Sequence, residues 1–148
     1  KKRRWAGSIP PCRPQRAKRW KRCKRNWTSK WGDEVTYDQF FQATLLPLPC
    51  PVSKEPAGGK HETYATFNEV LGTFTGYASN QPSRLHHTVQ VHVFSKCDDG
   101  THQTIFHKAI AMLRAAGVRV YSYGPDMYET DTGYHHIAAT CEWVESLD

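Results

Sequence analysis

The chain has 148 residues and a formal net charge of +6, from 20 Lys and Arg against 14 Asp and Glu. That excess sits entirely in residues 1–34, where thirteen basic residues face two acids (net +11); residues 35–148 hold seven basic against twelve acidic (net −5). The split argues against one uniformly basic nucleic-acid domain, no run approaches the roughly 18 apolar residues of a membrane span, and a body of roughly 114 residues suffices for a single domain with its own core.

Residues 1–34 mix Lys/Arg clusters with four of the five Trp. Cations neutralise phosphates and flat rings stack on bases. Arg3, Arg4, Trp5, Arg19, Trp20, Lys21, Arg22, Lys24, Arg25 and Trp27 are therefore the candidates for a nucleic-acid or protein docking arm. Pro10, Pro11 and Pro14, with few aliphatic residues and no helix or strand period, favour a disordered tail or an upstream extension. Val35 is where the working domain is expected to begin.

Thr36-Tyr37-Asp38-Gln39 fits a helix capping box, with Val35 and Phe40 at the hydrophobic-staple positions. Tyr37, Phe40, Phe41, Thr44 and Leu45 continue one helical face. Pro47, Pro49 and Pro51 end that helix and force an extended segment, and Ala57-Gly58-Gly59-Lys60 reads as a turn. Glu62–Val70 reads as a strand with Ala65 and Phe67 on one face and Tyr64, Thr66 and Val70 on the other. Leu71–Leu85 reads as a long polar loop.

His86–Phe94 is the clearest strand, with Val89, Val91 and Val93 opposite Thr88, Gln90 and His92. Thr101–Ala116 is a second helix with Ile105, Ala109, Met112 and Ala116 at near-helical spacing and Gly117 just past its end. Val118–Tyr123 is a short strand, and Gly124–Gly133 a turn-rich connection holding Asp126, Glu129 and Asp131. Tyr134–Val144 is the last strand, with Ile137, Ala139, Cys141 and Trp143 on one face. The expected fold is α+β: a four-stranded, mostly antiparallel sheet with two helices on one face, in the order α-β-β-α-β-β.

Five Cys without a CxxC pair, behind an N-terminus too charged for a secretory signal, suggest reduced thiols and a cytoplasmic setting. Cys141 reads as core. Cys97 beside Asp98 and Asp99 reads as unreactive, since neighbouring carboxylates disfavour a thiolate. His86-His87-Thr88-Val89 matches one H-x-T-x half of a two-histidine phosphoesterase. The second half is missing, because His135-His136-Ile137-Ala138 lacks the hydroxyl. His102 and His107 are five apart rather than four, and His135 and His136 on a strand face opposite ways, so neither pair makes a metal site. The acidic loop lacks EF-hand order. No P-loop, dinucleotide glycine motif or nucleophile elbow occurs. The chain is expected to be neither an enzyme nor a cofactor or metal carrier.

Val89-Gln90-Val91-His92-Val93-Phe94-Ser95-Lys96, the helix end Leu113-Arg114-Ala115-Ala116-Gly117, and Asp126–His136 form one set of motifs. Tyr64-Ala65-Thr66-Phe67-Asn68 and Tyr77-Ala78-Ser79-Asn80 complete it. Together they resemble the small tail-terminator, or tail-completion, proteins of long-tailed bacteriophages, over about Val35–Val144 and without the basic arm. The resemblance implies a structural virion protein, assembled in the host cytoplasm. Copies form a homo-oligomeric ring, commonly a hexamer, that caps the tail tube and meets the head-side connector, while DNA passes without specific binding. Tyr77, Asn80, Arg84, Asp126, Tyr128, Glu129, Asp131, Tyr134 and His136 are then the candidate subunit or tube contacts. The alternative is a nucleic-acid-binding module that grips through residues 1–34.

Overall fold

Thr36 opens the first helix with its backbone N–H donating to Gln39 Oε1 at 3.3 Å, one arm of the capping box. In the computed structural model, which describes residues 35–56 and 60–147, α1 runs Tyr37–Leu45. All ten candidate arm residues, and Ala57 to Gly59 of the expected turn, lie outside the described residues. Val35–Asp148 make one compact unit.

Six strands follow: β1 (Val52–Lys54), β2 (Thr63–Thr75), β3 (Arg84–Ser95), β4 (Arg119–Tyr123), β5 (Met127–Glu129) and β6 (Tyr134–Ser146); α2 (Thr101–Ala115) lies between β3 and β4. The sheet order is β1-β2-β3-β6-β4, with β5 also paired to β6. The fold is α+β as expected, but the sheet has six strands and is mixed, because β1 runs parallel to β2. The two additional strands are three residues each, too short for a period of two to register in sequence.

All twelve residues of β3 pair on both sides, with β2 and with β6. Its odd-numbered residues from His87 to Ser95 are buried, and its even-numbered ones are half-buried. The buried face carries Val89, Val91 and Val93, with Ala65 and Phe67 from β2 and Ile137, Ala139 and Cys141 from β6. Phe41 and Leu45 of α1 and Ile105, Phe106, Ala109, Ile110 and Leu113 of α2 close the same core. Burial pushes the Cys141 thiol up to about 12 and Cys50 to about 11, so neither supplies a thiolate near neutral pH.

The inward face of α2 is His102, Ile105, Phe106, Ala109, Ile110 and Leu113. Of the expected set, Met112 is only half-buried and Ala116 is exposed. The face is centred on Phe106 and Ile110, which the coarser spacing skipped. Past the helix, Gly117 takes φ +89. Val118 N–H donates to Leu113 O at 2.9 Å and Gly117 N–H to Arg114 O at 3.1 Å, the paired bonds of a Schellman cap. A Cβ at Gly117 would meet nothing within 4 Å, so only backbone strain opposes one. Gly117→Ala is expected to destabilise by about 1 kcal/mol, the left-handed penalty for an L side chain. An unchanged urea midpoint would count against that account of the turn.

Candidate functional site

The segment expected to be a long polar loop is mostly strand. β2 continues to Thr75 and β3 begins at Arg84, so the two form one long hairpin. Its tip narrows through Ser83 N–H to Thr75 O, 3.1 Å, and then a reciprocal pair between Ala78 and Gln81, each 2.9 Å. Ser79 and Asn80 both have positive φ, +49 and +68, the conformation of a two-residue type I′ turn. Asn80, a candidate contact, thus has a turn-forming role of its own. Val70, Leu71, Phe74 and Tyr77 are each more than half exposed. With the end of β6 alongside, the far part of the hairpin is a three-stranded ribbon bearing apolar side chains on its surface.

His87 anchors the base of that ribbon. Its ring is buried and stacks on Tyr37 and on Trp143, with centroids 5.4 and 5.2 Å away. Nδ1 lies 2.7 Å from Glu69 Oε1 and Nε2 lies 2.9 Å from Glu145 Oε2. One side chain therefore ties β2, β3 and β6 beneath α1. His86 points to the opposite face, where Nδ1 meets Glu142 Oε1 at 2.8 Å and Tyr121 donates to Glu142 Oε2 at 2.6 Å. The Tyr121 hydroxyl, then His86, hold the Glu142 carboxyl below its ordinary range. The half-signature His86-His87-Thr88-Val89 is thus split across two faces, and both nitrogens of His87 are occupied by carboxylates.

The face of the sheet away from the helices carries a run of stacked rings. His92, His136, Phe94 and Tyr64 follow one another, with centroid separations of 5.1, 4.2 and 4.8 Å. Tyr64 and Phe94, with Glu55, Pro56 and Thr66, line a shallow depression of about 480 Å³. His92 Nδ1 lies 2.9 Å from His136 Nε2, and His136 Nδ1 lies 3.0 Å from Glu129 Oε1. Burial, then the neighbouring His136, lowers the His92 pKa below its ordinary 6.5.

That depression of the His92 pKa fixes a sign. The folded protein takes up the His92 proton at lower pH than the unfolded chain does, so its contribution to stability is whole above about pH 6.5 and is lost as pH falls below it. Thermal melting of wild type should lose more between pH 7 and 5 than melting of His92→Gln, with His136, Glu55 and Glu129 unchanged in both. Equal losses would remove His92 as the cause.

The acids of the loop lie at the surface or half-buried, yet Asp126 and Glu129 are paired within the chain. Asp126 accepts from Gln103 Nε2 at 2.7 Å and lies 2.9 Å from His102 Nε2; those two contacts, the Gln103 bond first, lower its pKa. His102 is buried against His135, centroids 5.0 Å apart, and its Nδ1 has no hydrogen-bond partner among the described residues. Glu129 pairs with His136 and accepts from Thr132 at 2.7 Å. Tyr134 donates to His61 O at 2.5 Å, with Lys96 over its ring. Asp126, Glu129, Tyr134 and His136 therefore brace the fold. Tyr77, Asn80, Arg84, Tyr128 and Asp131 are exposed.

The candidate contacts do not converge. Arg84 pairs with Ser146 at one end of β6, and Ser95 with His135 at the other, so the hairpin tip and the acidic loop occupy opposite ends of the sheet. Among the described residues no group of three or more His, Cys, Asp or Glu is arranged to hold a metal ion, and no helix is long and apolar enough to cross a membrane. Sequence reasoning missed Glu69, Glu145 and Glu142, whose partners lie 18, 58 and 56 residues away in the chain.

No family model and no curated protein matches the chain. Several solved structures are similar to it, one of them at 15% identity over 76% of this chain and 88% of its own, with a TM-score of 0.43. A likeness of that degree leaves the function open.

Proposed function

We propose that residues 35–148 are an assembly subunit that ends a phage tail tube: copies close into a ring, hexameric by the family resemblance, between the tube and the head-side connector. The observation that carries this reading is the ribbon. Val70, Leu71, Phe74 and Tyr77 stand 54, 58, 51 and 63% exposed along one hairpin, and apolar side chains gathered on one short segment rather than scattered singly favour a protein contact. The stacked rings on the helix-free face add a second surface at which a tube or connector protein can be met.

The test is the mass of the full chain in solution, alone and with tail-tube protein. The expected result is a closed multiple of 17.0 kDa that co-migrates with tubes. A single-copy mass at every concentration, with no tube binding, would sink the reading. Tyr128→Ala with Asp131→Asn should weaken tube or connector joining and leave folding intact. Adding Asp126 and Glu129 to that set would also cut the ties to His102 and His136, and so confuse docking with unfolding.

The net charge of +11 over residues 1–34, with four Trp among them, favours a second reading as a nucleic-acid-binding module. It requires DNA affinity that falls steeply with salt and is lost on deleting those residues.

A further inference from the structure

We propose that copies of this chain join edge to edge through the ribbon, the free edge of β2 over residues 70–75 pairing in parallel with the free edge of β6 over residues 143–146 of the next copy. This rests on the assembly reading and names the contact that would build it. Strand β1 covers β2 only at Ala65, Thr66 and Phe67. Beyond Phe67, β2 runs on to Thr75 with β3 as its one strand partner among the described residues. On the other side, β4 pairs with β6 no further than Glu142, and among the described residues β6 runs on to Ser146 beside β3 alone. Both open edges belong to the same ribbon at the same height, since Thr75, Arg84 and Ser146 lie in one row.

An open edge is a template for another strand, and single chains usually guard it with charge, proline or strong bulging. Val70-Leu71-Gly72-Thr73-Phe74-Thr75 contains no charge and no proline, and its single irregularity lies at its start, between Glu69 and Leu71. The facing edge carries Val144, 42% exposed. Among the described residues, the acids nearest both edges are already paired within the chain: Glu69 and Glu145 with His87, Glu142 with His86 and Tyr121. Two copies can therefore approach without opposing bare carboxylates, although the body is acidic as a whole.

Strands β2 and β6 are each antiparallel to β3, so they point the same way. A neighbour continuing the sheet then sets its β2 parallel to this β6. The two edges differ, so the contact is head-to-tail, the kind that closes rings. A symmetric β2–β2 contact would instead stop at a dimer.

Leu71→Lys blocks one edge and Val144→Lys the other, and both sites are exposed. Thermal melting checks that each full-length variant is folded. Each variant alone should lose assembly and run as a single copy of 17.0 kDa. Mixed in equal amounts, they should form a two-copy species and nothing larger, because one good edge remains on each. Assembly of either variant at wild-type levels overturns the proposal, as does a mixture that stays single-copy. If the wild-type chain itself never assembles, the ring reading fails first; if wild type assembles and the variants follow it, only the edge contact fails.

Discussion

Replacing His87 with alanine is expected to cost about 3 kcal/mol, the lower part of the range for removing one member of a buried charged cluster. The ring is 5% exposed, and each nitrogen faces a carboxylate within 3 Å. Its loss leaves Glu69 and Glu145 beside a cavity roofed by Tyr37 and Trp143. The estimate stays low in the range because the Glu69 side chain keeps 30% of its exposure and Glu145 keeps 17%, so water relieves part of the penalty. Denaturant unfolding measures the cost, and adding Glu69→Gln and Glu145→Gln to the alanine variant should restore part of it. A loss under about 1 kcal/mol would mean that the cluster does not hold the ribbon to the body. The same result bears on any phosphodiesterase assay: activity lost in His87→Ala would not distinguish chemistry from loosened structure.

Phe41→Ala should be at least as severe, about 3–5 kcal/mol. Phe41 is fully buried, stacks on Phe67 with centroids 5.9 Å apart, and meets Phe40 edge-on at 5.7 Å. Helix α1 is only nine residues long, too short to persist without a face to pack against. Its anchors on the sheet are Phe41 and Leu45, with Phe40 stacked on Trp143. Against a typical domain stability of about 5–15 kcal/mol, the substitution should lower the melting temperature by roughly 10–20 °C and release α1 first. A shift of a few degrees would show that α1 contributes little to the core.

Much of the scaffold is legible in the sequence, because the strongest local signals agree with the tertiary structure. The capping box at Thr36, the alternating valines of β3, the apolar face of β6 and Gly117 all occupy their expected places. The ribbon was hidden for a physical reason. An exposed strand buries neither face, so Val70-Leu71-Gly72-Thr73-Phe74-Thr75 shows no clean alternation, and the irregularity at Glu69/Leu71 shifts what alternation remains. Strands β1 and β5 exist through their neighbours rather than through their own composition. The pairings of the Gly124–Gly133 acids were not legible, because nothing local reveals that Asp126 will meet His102, 24 residues earlier. The composition showed that His and Glu were plentiful; only the folded register showed which of them meet.

The complete pairing of β3 on both flanks sets where the gene can change length. A codon lost within Arg84–Ser95 would exchange Val89, Val91 and Val93 with Thr88, Gln90 and His92 across the sheet in a single step. It would also break the match to two strands at once. Added codons at Ser79–Asn80 would lengthen only a surface turn. Descendants of this chain should therefore vary in size at the hairpin tip and keep β3 at constant length.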